Sequence, residues 1–233
     1  MPLKPIKMES VNRFTALVIG DAGIGKTSLV RTIPDDEKVC VLSAESGLLS
    51  VKDLVQSGKI QGFEITSFQD MREAYQHLLT DDEAQKTFQW IFIDSLTEIS
   101  SRCVEAMKAK YPSGADSFKL WGDYNDLLTT LIKGFRDLHQ YSVVFSCLPS
   151  VEKDEANRRF VGPAVSGASL KERLTSYFDE VFFMTSQKTD EGQEYRCFIT
   201  QPYLRYPAKD RSGKLALIEK PDLANIKRKI MEV

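Results

Sequence analysis

Gly20-Asp21-Ala22-Gly23-Ile24-Gly25-Lys26-Thr27 satisfies G-x-x-x-x-G-K-[ST] at every specified position. Glycines at these places let consecutive backbone N–H groups converge on phosphate oxygens, where a side chain would block the approach. The apolar run Phe14–Ile19 before the motif reads as a buried strand, and Lys26 to Ile33 after it reads as a helix stopped by Pro34. That order aims a helix N-terminus at the same anion. The motif therefore predicts an ATP site running from Gly20 through Asp21, Ala22, Gly23, Ile24 and Gly25 to Ser28. Lys26 is expected to reach the β- and γ-phosphates, and the Thr27 hydroxyl to bind Mg2+.

Outward from the motif, short strand-like runs alternate with helical stretches. Lys38–Ser43 reads as a second strand, followed by a helix over Leu48–Val55. Gly62–Phe68 is a weaker strand, followed by an amphipathic helix around Met71–Leu79. Phe88–Ile93 is the most apolar strand and ends at Asp94-Ser95. Helices over Leu96–Lys110 and Leu120–Leu138 lead to a strand at Tyr141–Cys147. A polar segment, Ser150–Gly167, precedes a helix at Leu170–Phe178. Val181–Met184 and Glu194–Thr200 pair antiparallel across Asp190-Glu191-Gly192, and a charged helical tail begins at Pro221. This alternation predicts one α/β domain over residues 1–233, with a mostly parallel sheet flanked by helices. Its antiparallel strands fall at the C-terminal edge.

Composition narrows the functional classes. Hydrophobic residues at 42% can build a core, which excludes global disorder. Thirty-one basic against 33 acidic residues exclude a polycationic tail protein. No run reaches the roughly 18 apolar residues that span a bilayer. The start, Met1–Lys7, lacks an apolar segment behind its charges, so a cytoplasmic protein with no membrane partner is expected. Cys40, Cys103, Cys147 and Cys197 are far apart and read as reduced core thiols rather than zinc ligands.

Asp94 closes the strongest strand, where the second acidic residue of a phosphate-loop site holds the metal. Capping the following helix is compatible with that role. Ser95 stands where many such ATPases carry a catalytic glutamate, so the base must come from elsewhere. Glu45 lies beyond the second strand's carboxyl end, the side on which ligands bind in open α/β sheets. Glu98 is one turn into a helix and reads as a capping-box partner of Ser95. Glu45 is favoured as the residue that orients water.

With Asp-Ser after the fourth strand, Glu45 after the second and Ser146-Cys147 at a central strand end, the chain resembles the RecA-like recombinase core. A glycine-bearing loop into Leu170-Lys171-Glu172-Arg173 and the late segment Tyr206–Arg211 make it similar to phage-encoded RecA-like ATPases, the Sak-type single-strand annealing proteins. The resemblance spans about residues 14–215. It implies ATP bound between subunits of a filament or ring, and single-stranded DNA held by two loops. Carried over, those loops are about Lys108–Lys119 and Val151–Ser169. Ser146 takes the sensor position, where bacterial recombinases carry glutamine. Lys209 and Arg211 match cationic fingers offered to a neighbour's phosphate. The phage setting suggests the host cytoplasm, with a single-strand-binding protein as a further partner.

Residues alone point to nucleic acid only in part. Lys153, Arg158 and Arg159 beside Phe160 combine charges with one stacking ring. Lys108, Lys110, Tyr111 and Lys119 do the same earlier in the chain. A mixed-charge surface loop explains both clusters as well. Trp121 and Tyr124 share helical spacing with Leu127, Leu128 and Leu131, which predicts packing. Two other functions fit the motif: a small-molecule phosphate-loop kinase, with Arg158-Arg159 as a lid, and a nucleotide-gated scaffold or loader.

Overall fold

The short apolar runs form the middle of a nine-stranded sheet. The computed structural model describes residues 14–45, 47–112, 116–153 and 159–232, with backbone alone for Lys153 and Arg159. Strands β1 (Thr15–Gly20), β2 (Val39–Ser43), β3 (Ile60–Glu64), β4 (Trp90–Asp94) and β5 (Ser142–Cys147) pair only in parallel within this group. A separate hairpin, β6 (Pro149–Lys153) with β7 (Arg159–Pro163), leaves the carboxyl end of β5. Returning to the main sheet, β8 (Glu180–Lys188) pairs in parallel with β1 and antiparallel with β9 (Glu194–Ile199). Two-residue strands β10 (Lys209–Asp210) and β11 (Ile218–Glu219) complete it. The order is β11-β9-β8-β1-β5-β4-β2-β3, with β10 on β8. A mostly parallel α/β sheet with an antiparallel edge is thus the fold.

Burial on both faces explains why the central strands are continuously apolar rather than alternating. Leu17, Ile19, Cys40, Leu42, Ile91, Ile93, Val143 and Phe145 face one way. They meet helices α1 to α6 in part: α1 (Lys52–Gln56) lies on the other face, whereas α2 (Phe68–Thr80), α3 (Asp82–Thr87), α4 (Leu96–Lys110), α5 (Ser117–Arg136) and α6 (Ala168–Leu174) supply Met71, Ala84, Ile99, Leu128 and Leu170 here. Ala16, Val18, Val39, Val41, Phe92 and Val144 face the opposite layer, with Leu29, Val30, Val51, Leu223 and Ile226. All four cysteines are buried thiols, and desolvation pushes Cys40 and Cys103 up to about 12.

Several expectations are corrected. Thr27–Thr32 is a six-residue 3-10 helix, not the α-helix expected over Lys26–Ile33. Pro34 disfavours the α region for Ile33, which is extended at ψ 138°, so the element stops early. The helix read over Leu48–Val55 divides into 3-10 Leu48–Val51 and α1. The strand read over Gly62–Phe68 is β3, because Ser67 begins α2 instead. Its hydroxyl accepts from Asp70 N at 3.1 Å, and the Asp70 carboxylate accepts from Ser67 N at 2.9 Å. The helix read over Leu170–Phe178 starts at Ala168 and changes to 3-10 at Thr175–Tyr177.

Parts of the polar segment and the charged tail pack into the fold. Within Ser150–Gly167, Val151 pairs with Val161 in the β6–β7 hairpin, and Val161 is buried. The charged tail forms α7 (Leu223–Met231) and docks firmly: Leu223 and Ile226 are fully buried. Leu223 N also donates to Thr32 Oγ1 at 2.9 Å. Among the described residues no helix is long and apolar enough to cross a membrane.

Candidate nucleotide site

The register of the sheet assembles the site. Ser43 lies level with Asp94, and the pairing of Ile93 with Phe145 places Ser146 beside Asp94 on the other flank. β1 ends at Gly20, beyond this row, and the phosphate loop leaves from there. A cleft of about 700 Å³ opens above, bounded by the loop, Glu45, Asp94 and the start of α4.

Within the loop, Gly23 and Gly25 adopt φ of 76° and 106°, a region closed to most side chains. Lys26 is buried and folds over its own loop, donating from Nζ to Gly20 O at 2.7 Å and Asp21 O at 2.9 Å. Desolvation holds its pKa below the ordinary lysine value, opposed by the nearby charges of Asp94 and Glu45. Thr27 Oγ1 donates to Asp94 Oδ2 at 2.6 Å, joining the two residues expected at the metal. A hydroxyl and a carboxylate form the hard oxygen set that magnesium prefers, so these residues fit that ion.

Asp94 is buried, and its Oδ1 accepts from the Ser146 hydroxyl. Ser146 is fully enclosed and does not line the cleft. Ser146 thus stands behind Asp94 rather than facing the cleft. Glu45 is exposed at the cleft and accepts from Ser95 Oγ. Ser95 also caps α4, accepting weakly from Glu98 N at 3.4 Å, so the cap is Ser95 rather than Asp94. The Asp94–Ser95 peptide is cis. Glu45 and Glu98 both line the cleft.

Lys209 and Arg211 are not brought to the cleft. Lys209 pairs with Val181, level with Leu17, three residues before Gly20 on the adjacent strand. That is about 10 Å down the sheet from the loop. Lys209 Nζ donates to Phe178 O at 2.6 Å, and Arg211 pairs with Asp179. Within one subunit, therefore, both charges hold the last turn before β8; as fingers they would act on a neighbour's phosphate.

The nucleic-acid candidates are dispersed. Lys108 and Lys119 are exposed on α4 and α5, while Lys110 is tied to Asp123 at 2.6 Å. Phe160 is partly exposed on β7, and Lys153 and Arg159 pair at the last described rung of the hairpin. Arg158 lies outside the described residues, as do Pro112's successors at 113–115 in the earlier loop. Tyr124 is fully buried, with its hydroxyl 2.8 Å from Ser100 Oγ, as helical packing predicts, whereas Trp121 packs edge-on against Tyr124 but is 41% exposed.

Three contributors escaped the sequence reading. Ser95 links Glu45 to α4. Arg102 shares a helix face with Glu98 and lines the same cleft, a pattern their four-residue spacing could have revealed. Arg196, on β9, lies against Gly25: a Cβ built on that glycine would stand 2.6 Å from Arg196 Nη1. No local signal marks Arg196, because the contact depends on how β8 and β9 continue past β1.

No curated protein matches the chain. An AAA-domain family model matches residues 12–212, taking in the phosphate loop, Asp94, Glu45 and all but the end of the main sheet. The chain belongs to the AAA-domain family of phosphate-loop ATPases.

Proposed function

We propose that this chain is an ATP-hydrolysing RecA-like protein that binds single-stranded DNA and assists phage-type annealing or recombination. The observation that carries the hydrolytic part is the junction of Thr27 with Asp94 beside Lys26. Lys26 would follow the β- and γ-phosphates, exchanging its two loop carbonyls for phosphate oxygens. Thr27 and Asp94 would hold Mg2+, which when bound offsets charge on the transferring phosphoryl group. Ser146 would keep the Asp94 carboxylate turned toward Thr27. Glu45, oriented by Ser95, would align water for attack.

Support for the DNA part comes from the β6–β7 hairpin. It leaves β5 at the ligand-binding end of the sheet and carries Val151 and Phe160 partly exposed. Its far rung joins two basic residues, Lys153 and Arg159. Exposed apolar groups beside cationic positions suit a single strand, whose bases stack while its phosphates pair. Self-association into a filament or ring belongs to the same proposal, as does a single-strand-binding protein as partner.

ATP turnover measured with and without oligodeoxythymidine tests this reading. Hydrolysis should rise severalfold with the oligonucleotide and be largely abolished in Lys26→Ala. Unchanged turnover with DNA overturns the DNA part, whereas full activity in Lys26→Ala overturns the ATP site. Phosphoryl transfer to an added nucleoside, in place of hydrolysis, would select a small-molecule kinase. Slow turnover insensitive to both would select a nucleotide-gated scaffold.

A further inference from the structure

Thr27 and Asp94 mark the metal end of the cleft, on the β4 side of the phosphate loop. The opposite flank of β1 belongs to β8. A triphosphate whose last phosphate faces Asp94 runs back across the loop, so its nucleoside belongs on the β8 flank. A wall stands there. Gly20 is level with Met184, yet β8 continues to Lys188, about 13 Å further, paired throughout with β9.

Alternation along this ribbon sorts its side chains. Ser186 pairs with Arg196 and Lys188 with Glu194, so Ser186, Glu194 and Arg196 share the face that also carries Met184. This face meets the phosphate loop. A Cβ on Gly25 would touch Arg196 Nη1 at 2.6 Å and Met184 Cε at 3.7 Å. Ser186 Oγ donates to Glu194 Oε1 at 3.0 Å, which fixes that carboxylate on the ribbon. Among the described residues Arg196 has no hydrogen-bond or ion-pair partner, although Glu194 shares its face. A cavity of about 300 Å³ lies between loop and ribbon, lined by Gly23, Ile24, Ser186, Glu194, Tyr195 and Arg196. The Tyr195 hydroxyl turns away to Gln187 Oε1 at 3.3 Å.

We infer that the cavity between the phosphate loop and the β8–β9 ribbon is the nucleoside subsite, in which Glu194 accepts from ribose hydroxyls and Arg196 lies on the face of the base. This rests on the nucleotide reading proposed above. A guanidinium is planar and weakly hydrated, so it stacks on a heteroaromatic ring without losing its charge. A carboxylate with one oxygen occupied by Ser186 keeps its second for a sugar hydroxyl. The ligand class is a ribonucleoside triphosphate, and the ribbon adds affinity that inorganic tripolyphosphate cannot use.

Calorimetric titration of the full chain with ATP, dATP and tripolyphosphate, each with Mg2+, provides the test. The unaltered chain should bind ATP at least tenfold more tightly than tripolyphosphate. Arg196→Ala should weaken ATP about tenfold and leave tripolyphosphate unchanged, and Arg196→Lys should behave similarly because it lacks the planar group. Glu194→Gln should narrow any preference for ATP over dATP. Both positions are exposed, and melting curves would verify folding of each variant. Equal loss of ATP and tripolyphosphate in Arg196→Ala would overturn the inference, since Arg196 would then serve the phosphates. Unchanged ATP binding in Arg196→Ala and Glu194→Gln overturns it too. If the unaltered chain binds ATP and tripolyphosphate equally, the subsite fails while the phosphate site stands. If it binds neither, the nucleotide reading falls and the subsite with it.

Discussion

Gly25→Ala separates backbone strain from contact in the phosphate loop. The new methyl would sit at φ 106° and 2.6 Å from Arg196 Nη1. The first effect is intrinsic, and a non-glycine residue forced into such a region costs about 1–3 kcal/mol. The second is cheap for the fold, because Arg196 is a flexible side chain that can swing into solvent. For a domain of this size the expected fall in melting temperature is therefore about 2–12 °C. Gly23→Ala is the comparison: φ is 76° and nothing lies within 4 Å, so only the strain of about 1–2 kcal/mol remains. ATP separates the two further. A tenfold loss of affinity removes about 1.4 kcal/mol of ligand stabilisation, or about 3–6 °C of the ATP-induced shift. That loss is expected at Gly25, where loop and Arg196 are both displaced, and should be smaller at Gly23. Scanning calorimetry with and without ATP measures both quantities. Adding Arg196→Ala to Gly25→Ala should restore little of the ligand-free stability. Full restoration would assign the cost to contact rather than backbone, and an unperturbed Gly25→Ala would refute the account of the loop.

Three further outcomes are expected. Glu45→Gln should lower kcat by about 10²-fold or more with ATP affinity nearly unchanged, since Thr27 and Asp94 remain. Glu98→Gln should do less, and the reverse ranking in steady-state kinetics would transfer the role to Glu98. Ser146→Ala should leave a buried Asp94 oxygen without its donor, costing about 1–3 kcal/mol and raising the Mg2+ concentration at half-maximal ATPase rate. An unchanged Mg2+ titration would count against the positioning role. Glu180 is buried, and desolvation, reinforced by Asp210, pushes its pKa from 4.5 up to about 8. The folded state thus holds a proton that the unfolded state releases, and this contribution fades as pH rises between those values. Glu180→Gln cannot titrate, so its melting temperature minus that of the unaltered chain should increase from pH 5 to pH 8. A constant difference would refute the shift.

The parallel strands were legible because each is a short apolar run whose composition reflects burial on two faces. The phosphate loop was legible because its glycines and Lys26-Thr27 are dictated by the ligand. Asp94 followed from its place at a strand end. Glu45 lies in the same cleft, although its partner, Ser95, reads in sequence only as a helix cap standing where the second acidic residue is expected. What escaped depends on long-range pairing. Lys209 and Arg211 read as an extended cationic segment, but nothing nearby in sequence announces that β10 pairs with the start of β8. In β6–β7, Val151 and Val161 are separated by charged residues, which hides a hairpin inside a polar stretch. Arg196 follows a tyrosine and precedes a buried cysteine, the alternation of an ordinary edge strand. Only the three-dimensional offset between β8 and β1 turns it toward Gly25.

The docking of α7 has a consequence for when the protein becomes competent during synthesis. Leu223 N and Thr32 Oγ1 are 191 residues apart, and the bond joins the tail to the element that begins at Thr27. A six-residue 3-10 helix ended by Pro34 has little intrinsic persistence. Leu223 and Ile226 bury it from outside, in a layer with Leu29 and Val30. A nascent chain can pair its central strands soon after β8 emerges, while the segment carrying Thr27 still lacks one side of its packing. Residues 223–231 supply that side last. The nucleotide pocket is thus expected to acquire its final rigidity only after the sheet has formed, so ATP arriving earlier would meet a loop whose geometry is not yet held.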